Sequence, residues 1–168
     1  VLNRELHLPL SIILSGISVM TVVVVGLGPW VGRLTDQYGV RRVASVSCVG
    51  FGLSLMMFAF NNGNVTLYLM TWALLSILGL GTMPAIWLKG LYQPNQPNRA
   101  QLFAWALCGT GVCALTLPPL TVWILQSPPL GLLGVVWQPW QLTYLLLGLL
   151  PILISAPLCL LLPNDTSS

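Results

Sequence analysis

The sequence predicts an all-α fold, a polytopic membrane helix bundle, and three observations carry that expectation. Only 5% of its 168 residues are charged, against about 25% in an ordinary soluble domain. Mean hydropathy is +0.88. The apolar residues also gather into five long segments, each near the roughly 20 residues that a helix needs to cross a hydrocarbon core about 30 Å thick.

The predicted spans run from Pro9 to Val31, Val43 to Phe60, Val65 to Leu88, Gln101 to Ile124 and Gln141 to Leu162, and none holds Asp, Glu, Lys or Arg in its interior. Between them lie runs with the chemistry of helix ends: "NNGN" at Asn61 to Asn64, "YQPNQPNR" at Tyr92 to Arg99, and "QSPP" at Gln126 to Pro129. The apolar piece Leu130 to Trp140 is too short to cross and rich in Gly and Trp, which places it at the membrane interface. Residues 163–168, "PNDTSS", form a polar tail.

Orientation follows from the basic residues, because loops rich in Lys and Arg stay cytoplasmic. Arg33, Arg41, Arg42, Lys89 and Arg99 fall in the first and third connections, and Arg4 lies opposite, beside Glu5. Those two connections are therefore expected inside, with the N-terminus outside and the tail cytoplasmic, in a plasma or inner membrane. An outer N-terminus without a signal sequence, on a chain that starts at Val1, would be natural if one span preceded it.

Several function classes fall away. Six basic residues cannot form the positive stripe that nucleic acid demands. Cys48, Cys108, Cys113 and Cys159 sit in apolar runs without zinc-like spacing and read as small packing residues. The lone His7 has no metal or nucleophile partner in the pattern, and no span carries clustered polar groups. Neither an enzyme nor a cofactor is expected. The "GLG" triplets at Gly26 to Gly28 and Gly79 to Gly81 do not complete a nucleotide fingerprint and suit close helix packing. The sequon "NVT" at Asn64 to Thr66 abuts a span too closely for a good glycan acceptor. Trp30, Trp87, Trp137 and Trp140 lie near predicted span ends and suit an interfacial belt, whereas Trp72 and Trp105 face either lipid or a central cavity.

Charge concentrates instead in "GRLTDQYGVRR", Gly32 to Arg42. Gly32 permits a close helix approach, Asp36 places an acid in a turn, Gly39 allows a tight reversal, and Arg41 and Arg42 open the next helix. Basic groups at a helix N-terminus oppose the macrodipole. Orientation or an acidic partner then explains them better than helix stability does. This stretch resembles the loop signature of the major facilitator superfamily, with Gln37 where that family usually has a basic residue. The runs Glu5 to Leu34, Asn98 to Leu120 and Trp137 to Pro163 resemble the family's second, fifth and sixth spans.

The resemblance implies spans two to six of a six-helix N-terminal domain, without the first span or the C-terminal half. It also implies that Gly32, Asp36, Gly39, Arg41 and Arg42 belong to a cytoplasmic gate. The expected partners are the lipid bilayer, a small-molecule solute and that missing half. The expected function is secondary active transport by alternating access, for example of a monocarboxylate. The competing reading is a non-transporting interaction protein or a decayed transporter fragment. Polar or small positions inside the spans supply candidate pathway residues: Ser15, Thr21, Gln101, Thr110, Thr116 and Tyr144. Gly28, Gly32 and Gly109 are expected to permit close contact between helices.

Overall fold

The computed structural model describes residues 9–61, 63–84, 86, 99–132 and 135–160. Arg4, Glu5, His7, Trp87, Lys89, residues 92–98 and the tail lie outside them, as does the side chain of Trp105. Five helices are long and apolar enough to cross a membrane. They are α1 (Leu10–Tyr38), α2 (Val40–Phe58), α3 (Val65–Gly79) with a 3-10 turn Leu80–Thr82, α4 (Arg99–Leu125), and a last rod. That rod consists of α5 (Pro139–Leu150), a π turn Pro151–Ser155 and α6 (Ala156–Leu160).

α1 is 29 residues long, about 43 Å at 1.5 Å per residue, against a hydrocarbon core of about 30 Å. Its last turns can therefore project beyond the bilayer. That length corrects the turn expected over residues 32–42: helix continues through Tyr38 and resumes at Val40, leaving Gly39 as the sole link. A water-facing helical extension has the same composition as a loop, so hydropathy could not separate the two.

α3 packs against both α1 and α2, and α2 packs against α5 and α6. The second crossing is made by small residues. Ala44, Cys48 and Gly52 recur every fourth residue on α2 and are all buried. They face the last rod, where Ala156 and Cys159 join Ala44 and Cys48 in one cluster. A Cβ added at Gly148 would lie 2.5 Å from the carbonyl oxygen of Gly52, and one added at Gly52 would strike the carbonyl of Gly148. In lipid, apolar burial gives helices little drive to associate, so close van der Waals approach of small residues takes that role.

The larger side chains follow the same logic. Leu115, Val22 and Val25 are exposed to what would be lipid, while buried positions include the hydroxyl residues Ser54, Thr71, Ser76 and Thr143. Each of these four donates to its own helix, to Gly50 O, Leu67 O, Trp72 O and Pro139 O at 2.7 to 2.9 Å. Their polar groups are thus satisfied without water.

One aromatic core joins α2, α3 and α5. Phe58 meets Tyr68 edge-on at 5.8 Å and Trp72 at 5.7 Å, and stacks on Tyr144 at 5.3 Å. Tyr68 donates its hydroxyl to Ile13 O at 3.1 Å, which ties in α1. Trp72 packs inside the bundle, over Gly16 and Phe58. Trp140 is 7% exposed and belongs to this core. Burial of these rings is settled by tertiary contacts that distance from a span end does not reveal.

Side chains cap the starts of α3 and α5. Asn64 accepts from Thr66 N at 2.9 Å and Leu67 N at 3.3 Å, so the Asn of the sequon starts α3. At the start of α5, Gln141 accepts from Gln138 N at 3.0 Å and donates Nε2 to Ala59 O at 2.9 Å. That second bond satisfies a carbonyl at the end of α2. The piece expected at the interface forms a two-stranded antiparallel ribbon, β1 (Leu130–Leu132) with β2 (Val135–Trp137), and Leu130 opposes Trp137. Replacing Asn64 by Ala is expected to cost about 1 kcal/mol, read as a lower unfolding midpoint in detergent, with Asn64→Asp retaining the cap.

Candidate gate turn and intramembrane cavity

The turn is built around one backbone conformation. Gly39 has φ 81° and ψ 151°, a combination that only glycine adopts without strain. Its N–H donates to Thr35 O at 3.0 Å and its carbonyl accepts from Val43 N at 3.3 Å, so the residue closes α1 and opens α2 together. Thr35 and Val40, on either side, are 2% and 3% exposed and anchor the turn in the bundle. Thr35 donates its hydroxyl to Val31 O at 2.7 Å.

The charges surround this anchored link. Arg33, Asp36, Gln37 and Arg42 are exposed, and Arg41 is half-buried with its carbonyl accepting from Ser45 Oγ at 2.8 Å. An acid near the end of α1 and bases at the start of α2 each oppose the dipole of their own helix. A one-residue link sets the two ends side by side. Asp36 then lies near the positive end of α2, and Arg41 and Arg42 lie near the negative end of α1. The charge pattern is compatible with the helix pair, so the macrodipole objection raised by the sequence loses its force. The glycines divide into two groups, and the "GLG" of α3 packs closely as expected, Gly79 against Phe51 and Gly81 against Ser47. Among the described residues, no atom beyond the local backbone lies within 4 Å of a Cβ built at Gly26, Gly28, Gly32, Gly109 or Gly111. Close approaches also occur at Gly16, Gly52 and Gly148.

The pathway candidates do not converge on one site. Ser15, Thr21, Thr110 and Thr116 donate to Ile12 O, Ile17 O, Leu107 O and Val112 O of their own helices at 2.6 to 3.0 Å. Their oxygens retain acceptor capacity only. Tyr144 belongs to the aromatic core, 6.5 Å from Trp140 between ring centroids, and Gln101 is exposed on α4. Thr110 alone among the six lines a cavity of about 700 Å³, between α2, the end of α3, α4 and the last rod. Thr82, Ser155, Cys48 and Cys113 share that lining, and none of the described lining residues is charged. The sequence reading missed Thr82 and Ser155. Thr82 follows the "GLG" of α3 and Ser155 ends the π turn; turns of that kind often mark functional positions.

Gate turn and bundle together define what a family assignment must explain, and the comparison supplies one. The model of the Major Facilitator Superfamily matches residues 1–168. The chain belongs to the major facilitator superfamily. No curated protein and no solved structure matches it. This major facilitator chain is a multi-pass membrane protein whose bundle lies in a lipid bilayer, and its family consists of transporters of solutes.

Proposed function

We propose that this major facilitator chain forms part of a secondary active transporter that moves a small solute by alternating access, with Gly32 to Arg42 as its cytoplasmic gate. The single observation that carries the gate is the Gly39 link. Two membrane-length helices are coupled there through one backbone conformation, with exposed charge on both sides. Such an element moves with both helices, so contacts made by Asp36, Arg41 and Arg42 in one state and lost in the other bias the two-state equilibrium.

The substrate class proposed is a small organic anion such as a monocarboxylate, on the likeness of the run from the gate turn to Pro118 and Pro119. The predicted spans carry no Asp, Glu, Lys or Arg in their interiors, and the cavity beside Thr110 offers uncharged groups. A cationic anchor for such a substrate would then come from a C-terminal half that completes the transporter. The orientation that goes with this reading places the gate turn in the cytoplasm, in a plasma or inner membrane.

The test is Asp36→Asn in the transporter that carries this segment, with uptake and surface abundance measured on the same cells. Uptake per molecule is expected to fall roughly tenfold, a shift of about 1.4 kcal/mol, while abundance holds. Loss of uptake in proportion to abundance would overturn the gate role and leave Asp36 with a purely structural one.

A further inference from the structure

The crossing of α2 with α6 brings two thiols together that lie 111 residues apart in the chain. Cys48 and Cys159 are 2% and 0% exposed, and their sulfurs are 3.9 Å apart with one thiol donating to the other. Ala44 and Ala156 pack in the same cluster, so small side chains on both helices let the backbones approach at this level. Forming a bond of about 2.05 Å requires the sulfurs to close by about 1.9 Å. Cys108 and Cys113, in contrast, are exposed on α4. They stand five positions apart on that helix, about 140° around its axis at 3.6 residues per turn.

We propose that Cys48 and Cys159 are an oxidation site, at which a small neutral peroxide joins α2 to α6 by a disulfide. Hydrogen peroxide is the oxidant, because a buried pair admits a small uncharged molecule and excludes bulky or charged ones. One sulfur attacks the peroxide oxygen as its proton passes to the departing hydroxide, forming a sulfenic acid and releasing one water. The second sulfur then displaces the hydroxyl of that sulfenic acid, and its own proton leaves with the hydroxyl as a second water. The two thiols lose two electrons in total and the peroxide is reduced to two waters. The contact between the sulfurs, in which either thiol can be the donor, already sets them side by side. The staple fixes α2 near its middle, nine residues beyond Gly39, and so holds the helix that the gate turn must carry.

The experiment uses the full chain in liposomes, treated with hydrogen peroxide, then denatured and reacted with a polyethylene glycol maleimide that adds mass at each free thiol. Tags are expected to fall from four to two, since the chain has four cysteines, with a linked Cys48–Cys159 peptide on digestion. Cys159→Ala is expected to keep all three of its tags. The double variant Cys108→Ala, Cys113→Ala, changed only at exposed positions, is expected to go from two tags to none and to recover both after a neutral dithiol. Four tags remaining in the parent chain, tags lost without the linked peptide, or a link through Cys108 or Cys113 would each overturn the proposal.

Discussion

Gly148→Val is expected to force α2 and the last rod apart and to lower the stability of the bundle more than any surface substitution. The first added carbon would meet the carbonyl of Gly52 at 2.5 Å and the Met56 side chain at 2.7 Å. Backbone cannot yield as a flexible side chain can. Overpacking of this kind costs about 1–3 kcal/mol, and Val adds two further methyl groups. Unfolding in detergent, followed by helicity, is the measurement. Gly26→Ala is the control: open space surrounds that position, and Ala favours helix over Gly by about 0.5–1 kcal/mol. A Gly148→Val chain as stable as the parent would mean that the two helices do not cross at Gly52.

Gly39→Val is expected to have the second largest effect, through backbone conformation and not through space. Nothing lies within 4 Å of a Cβ there, yet φ is 81° and ψ 151°. A β-branched residue in that region costs about 1–3 kcal/mol. Relief would come by unwinding the end of α1 or the start of α2, which would break the bonds from Gly39 N to Thr35 O and from Val43 N to Gly39 O. In the complete transporter, abundance and uptake per molecule should both fall. This differs from Asp36→Asn, for which only the second falls. Normal abundance and normal uptake for Gly39→Val would show that the turn is not held in this conformation.

The membrane bundle was legible because its signal is local and additive: long charge-free runs can only be spans. Gly39 was legible for a related reason, since a glycine between a helix end and a basic pair marks a reversal. The extension of α1 to Tyr38 was not, because a helix that leaves the bilayer acquires the charges of a loop. Asn64 stood in view as the last polar residue before an apolar run, yet the sequon drew the reading away from its role as a cap. Gln141 and Trp140 could not be placed from sequence, since the bond from Gln141 to Ala59 spans 82 residues and Trp140 is buried in a cluster with Phe58 of α2 and Tyr68 and Leu75 of α3. The hydroxyls of Ser15, Thr21, Thr110 and Thr116 look alike in sequence. Whether such a group serves a cavity depends on side-chain direction, and the structure brings Thr110 to the cavity of about 700 Å³.

The central claim, that the turn at Gly39 is a cytoplasmic gate, is tested most directly by where its neighbour Gln37 faces. Gln37 is exposed at the end of α1, so Gln37→Cys, made after replacing the four native cysteines by Ala, places one accessible thiol beside the link. Sealed vesicles of both orientations are then treated with a membrane-impermeant maleimide. Labelling is predicted only where the cytoplasmic face is outward. Labelling only from the opposite face would put the turn outside the cell and contradict the account.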